Sequence, residues 1–116
     1  MKTHRMNLLK EPYIEIKEGR KTVEMRLYDE KRRGIAAGDL IIFSCMALGG
    51  EEICTEVLAT YIYEDFHSLA ENFAPESLGF PGSTPAHISD YMEKIYGRET
   101  VEKYGAFAIK ILLKKL

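Results

Sequence analysis

Apolar and polar residues alternate with period two from Thr22 to Asp29. Val23, Met25 and Leu27 fall on one face, and Thr22, Glu24, Arg26 and Tyr28 on the other. That spacing predicts a strand with one buried face. Leu40–Leu48 is almost continuously apolar, the pattern of a strand covered on both sides. Glu52–Tyr63, rich in β-branched and aromatic residues, predicts its return strand across Gly49-Gly50. Arg5–Leu9 predicts a short opening strand. Ala106–Leu113 predicts a closing one, with Phe107, Ile109, Ile111 and Leu113 facing one way. Pro12 opens a short helix that Gly19 stops. Asp65 caps a second helix, with Phe66, Leu69, Ala70 and Phe73 along one side. Thr84-Pro85 opens a third, with Ile88, Tyr91, Met92 and Ile95 as its buried stripe and Gly97 as its stop. Between the last two lies a loop, Pro75 to Pro85, that holds three of the chain's four prolines. The order β-α-β-β-β-α-α-β predicts an α+β domain whose five strands form a curled sheet or partly closed barrel.

The turn between the central strands sets a register. A two-residue Gly49-Gly50 turn pairs residue 48 with 51 and, counting outward, Cys45 with Cys54. Such a pair has the separation of a disulfide, but free thiols are expected, because no secretory segment precedes them and cytosolic thiols stay reduced.

Composition narrows the picture. The 116 residues are 46% apolar and 29% charged, which suits one globular domain spanning 1–116. Nothing resembles a membrane span, so a cytoplasmic location is expected. Two Cys and three isolated His supply no metal-ligand spacing, and no cofactor fingerprint is present. The net charge of −2 hides a segregation. Residues 1–33 carry a net +4, residues 34–93 a net −10 with no Lys or Arg, and residues 94–116 a net +4. Termini packed side by side would form a basic face able to attract a polyanion.

The chemistry concentrates between Gly19 and Asp39. Glu24 and Arg26 share a strand face, and Lys21 lies where helix gives way to strand. These three groups could bind a phosphate or carboxylate, or polarise a carbonyl while the carboxylate moves a proton. They could equally be a surface salt-bridge ladder. Tyr61 and Tyr63 share a strand face and could stack on a base, although barrel packing suits the apolar strand better.

The pattern Tyr13 … Gly19-x-Lys21-Thr22-x-Glu24-x-Arg26 … Gly38-Asp39-x-Ile41-x-Phe43 resembles the ASCH domain, a family of the PUA-like superfamily. Tyr104-Gly105-Ala106-Phe107-Ala108-Ile109 is similar to its closing strand. The resemblance implies a PUA-like mixed β-barrel with flanking helices. It implies a cleft lined by Lys21, Glu24 and Arg26, and binding of RNA or a nucleotide-like ligand or a coactivator-type role. Tyr13, Arg20, Thr22, Lys31 and Arg32 complete the candidate binding set, and Gly38 and Asp39 are expected to be structural. One branch of the superfamily hydrolyses acetylated cytidine nucleosides. Its "GRKT" element matches Gly19-Arg20-Lys21-Thr22, but Glu24 stands where that branch has a Thr. The alternative reading is therefore a small hydrolase, an amidohydrolase or ribonuclease, using Lys21 and Glu24 as catalytic residues. Glu71 and Glu76 are then the candidates for a second carboxylate. A further alternative is a protein-interaction module.

Overall fold

The computed structural model describes residues 1–115. Its elements are β1 (Thr3–Asn7), α1 (Lys10–Lys17), β2 (Val23–Leu27), β3 (Leu40–Cys45), β4 (Glu51–Tyr63), α2 (Phe66–Ala70), α3 (Pro85–Tyr96), α4 (Arg98–Tyr104) and β5 (Ala106–Lys114). The five strands form one sheet in the order β1-β3-β4-β5-β2. β1 runs parallel to β3, and the other neighbours are antiparallel. The sheet curls into a half-barrel, so the fold is α+β and PUA-like, as the sequence pattern and resemblance predict.

Two cores lie on opposite faces of the sheet. On one face, Ile41, Phe43, Val57, Phe107, Ile109 and Ile111 pack with Tyr13 and Ile16 of α1. On the other, Val23, Met25, Leu27, Ala106 and Ala108 pack with side chains from α2, α3 and α4. β5 is thus buried on both faces over Ala106–Ile109, rather than presenting a single apolar side. The helix starts follow the sequence signals. Asp65 Oδ1 accepts from the Ser68 amide at 2.8 Å, and Thr84 Oγ1 from the His87 amide at 3.2 Å, with Pro85 at the first position of α3.

Four expectations are corrected. The central hairpin does not turn on two glycines. Met46–Leu48 forms a 3-10 turn, and Gly49 and Gly50 follow it with positive φ, 70° and 83°. Cys45 therefore faces Glu51, and Cys54 faces Ile42. The cysteines are offset by three positions and lie on opposite faces of the sheet. The opening strand spans Thr3–Asn7, so Leu8 and Leu9 leave the sheet instead of belonging to it. The buried stripe of α3 is Ile88, Ser89 and Met92, while Tyr91 and Ile95 are 44% and 57% exposed. Finally, α4 was not expected. Its only buried residue is Val101, which leaves too weak a periodic signal to read.

Two contacts position the site. Asp39, in the turn before β3, accepts from the amides of Lys2 and Ala36, both at 3.0 Å, and lies 2.9 Å from His4 Nε2. The His4 hydrogen bond and the two amides hold its carboxyl well below the usual range and pin β1 to the sheet. The loop after α2 docks on the start of β2, where the Ser77 carbonyl accepts from the amides of Thr22 and Val23 at 2.9 and 3.0 Å.

Candidate functional site

β1 and β2 are the two edges of the sheet, and they face each other across the open side of the half-barrel. Arg26 joins them: its Nη2 donates to the Asn7 carbonyl at 3.2 Å. At this seam lies a cleft of about 440 Å³. Its floor carries Lys21, Glu24 and Arg26, and its walls include Leu9 and Pro12 at α1, Phe80 of the loop, and Tyr91 and Ile95 of α3.

Strand alternation turns Glu24 and Arg26 toward the floor, while Val23, Met25 and Leu27 enter the core behind. Lys21 Nζ lies 2.8 Å from Glu24 Oε1, and Arg26 Nη2 lies 3.0 Å from Glu24 Oε2. Arg26 Nε donates to the same Oε2 at 3.1 Å, and the Met25 amide to Oε1 at 3.2 Å. Glu24 is 3% exposed and Lys21 7%, so this is no surface ladder. Burial pushes the Glu24 carboxyl up, but Lys21 and Arg26 overcome it and hold the group below its ordinary value. Glu24 accordingly stays ionised, and the floor carries a net positive charge.

Gly79 sets how closely the loop approaches. A β-carbon there would sit 3.0 Å from Lys21 Cδ, and its φ of +86° suits glycine. Tyr96 also lines the cleft. Burial raises its hydroxyl pKa, and the charges of Arg26 and Arg32 act on that hydroxyl against it. The 29–34 turn carries Lys31 and Arg33, both exposed, and Arg32, whose Nη1 lies 2.8 Å from Asp29 Oδ2. Arg33 Cζ sits 5.3 Å from the Tyr28 ring centroid.

Of the candidate binding residues, the structure gathers Lys21, Glu24 and Arg26. Thr22 lies on the other side of Lys21, at a smaller hollow beside Ile111 and Lys115. Arg20 is exposed and pairs with Glu18. Tyr13 is fully buried in the barrel core, where its hydroxyl donates to Glu51 Oε2 at 3.0 Å. Burial and that carboxylate push its pKa up to about 12. Tyr61 and Tyr63 pack on Phe73. Glu71 and Glu76 are exposed and do not line the cleft. Sequence reasoning missed Asn7, Glu11 and Glu15, and it assigned Tyr91 and Ile95 to the core. Among the described residues, no group of three or more side chains could hold a metal, and no helix is long and apolar enough to cross a membrane.

A curled five-stranded sheet with a polar seam cleft is a PUA-like architecture. The ASCH domain family model matches residues 6–115, and the chain belongs to that family. Among solved structures it is similar to the hypothetical protein PH0355, at 36% identity and a TM-score of 0.85, over 98% of this chain and 100% of that one. It is also similar to protein PF0455 from Pyrococcus furiosus, at 33% identity and a TM-score of 0.76, over 98% of this chain and 99% of the other. No curated protein matches the chain.

Proposed function

We propose that the seam cleft binds one nucleobase of a single-stranded RNA, while the 29–34 turn receives the adjacent phosphates. The observation that carries this reading is the Lys21–Glu24–Arg26 set, its Lys21 and Glu24 buried, beneath an aromatic and aliphatic wall. A base edge carries acceptors, which the remaining N–H donors of the Arg26 guanidinium and the Lys21 ammonium can meet. Its faces are apolar and stack on aromatic rings, which the exposed Tyr91 and neighbouring Phe80 offer. The cleft volume falls in the range of small-ligand pockets. Arg32 of the turn is near enough for its charge to act on the Tyr96 hydroxyl in the cleft, and the exposed Lys31 and Arg33 beside it supply the sequence-independent attraction to phosphate.

Binding is favoured over hydrolysis by the state of Glu24. Two cations and a backbone amide engage its carboxylate, and it is held ionised below its ordinary range. A general base needs a pKa near the working pH and a free lone pair facing the proton. The test is fluorescence anisotropy with labelled single-stranded RNA, for wild type, Tyr91→Ala and the triple variant Lys31→Ala, Arg32→Ala, Arg33→Ala. Tyr91→Ala should weaken binding about tenfold or more, since base stacking is worth ~1–3 kcal/mol. The triple variant should weaken binding and flatten its salt dependence. Wild-type binding that ignores both variants refutes the assignment. Release of cytidine from N4-acetylcytidine by wild type, lost in Lys21→Ala, would establish hydrolysis instead.

A further inference from the structure

We infer that Glu15, aided by Glu11, makes the cleft select against phosphate, so that a nucleotide enters base first and its phosphate stays outside. This inference rests on the base-binding reading above. Three carboxylates and two cations line the cleft, which leaves one negative charge in excess. Glu24 is matched by Lys21 and Arg26 on the floor. Glu11 and Glu15 are not matched: among the described residues, neither forms an ion pair. Four residues apart on α1, they share one face of the helix.

Glu15 is the deeper of the two. A β-carbon at Gly79 would lie 3.4 Å from Glu15 Oε1 and 3.0 Å from Lys21 Cδ, so both side chains reach beneath the same loop residue. The Lys21 ammonium is committed to Glu24 at 2.8 Å and forms no ion pair with Glu15. Glu15 therefore presents at the cleft wall a carboxylate that no cation among the described residues pairs. A phosphate dianion entering the cleft would meet this charge and Glu11. An uncharged base carrying amino or imino N–H groups would find an acceptor instead. Repulsion between like charges in a partly dry cleft is far stronger than on open surface.

The test is isothermal titration of the four common ribonucleosides and their 5′-monophosphates with wild type, Glu15→Gln, Glu15→Asp and Glu11→Gln. Wild type should bind the preferred nucleoside at least about fivefold tighter than its monophosphate, the effect of a single like-charge contact even in water-like surroundings. Glu15→Gln, which keeps the side-chain size, should narrow that ratio. Glu15→Asp should preserve it, and Glu11→Gln should narrow it less. Salt at ~1 M, where screening acts within about 3 Å, should also narrow the wild-type ratio. Monophosphates bound as well as nucleosides by wild type, or a ratio that Glu15→Gln leaves unchanged, overturns the selectivity and leaves base binding intact. Wild type that binds neither nucleosides nor single-stranded RNA overturns both.

Discussion

Removing the Glu24 carboxylate would leave the buried Lys21 and the partly buried Arg26 side by side with no anion between them. Breaking such a set from its shared member costs about 3–5 kcal/mol. Glu24→Ala should therefore lower the urea midpoint much more than Lys21→Ala, which leaves Glu24 with Arg26. The carboxyl also makes stability depend on acid. Its folded pKa lies below the ordinary 4.5, so its contribution is complete above that value and fades as pH falls through the folded pKa. In urea melts, the advantage of wild type over Glu24→Gln should hold steady from neutral pH to about 5 and shrink below it. An advantage that grows on acidification would refute the assignment. Glu24 and Arg26 were legible in the sequence because a period of two puts them on one face, and Lys21 because it falls where helix gives way to strand. Glu15 and Tyr91 were not, because only the tertiary meeting of α1, α3 and the loop makes them neighbours of that face.

The central hairpin shows where local rules run out. Gly49-Gly50 is a strong two-residue turn signal, yet the chain inserts a 3-10 turn before it and shifts the register. Cys45 thereby enters the barrel core and Cys54 reaches a half-buried position. Mild oxidation should give no intramolecular crosslink, and an alkylating reagent followed by mass spectrometry should modify Cys54 well before Cys45. A rapid crosslink would restore the two-residue register. α3 teaches the same lesson by rotation. Its apolar residues fill more than one face, and periodicity alone does not say which of them remain open to a cleft. The stripe read from sequence held for Ile88 and Met92, while Tyr91 and Ile95 turned to the candidate site.

Topology ranks the strands by how well they are held. β5 lies between β4 and β2 and is buried on both faces for its first four residues. β1 has one neighbour and relies on the Asp39 contacts and the Arg26 link for the rest. Amide hydrogen exchange should therefore be slowest within 106–111 and measurably faster along β1. Equal protection of the two strands would mean that the seam is closed more firmly than these contacts describe. The curled sheet and its five strands could be read from the patterns in order. The partner of β2 could not, because that pairing joins the early part of the chain to its last strand, and no local signal spans the gap.

That pairing also bears on how the chain is made. β2 is among the first strands to leave the ribosome, and its sole sheet neighbour, β5, is synthesised after every other element. In the interval Val23, Met25 and Leu27 are an unpaired apolar strand, the kind of segment that seeds aggregation. Glu24 and Arg26 interrupt it with charge at its second and fourth positions, and Lys21 flanks it two residues before its start. Charged interruptions of this sort act as gatekeepers against intermolecular pairing. The side chains that furnish the floor of the cleft thus have an earlier duty, guarding the nascent chain until β5 arrives to cover the strand.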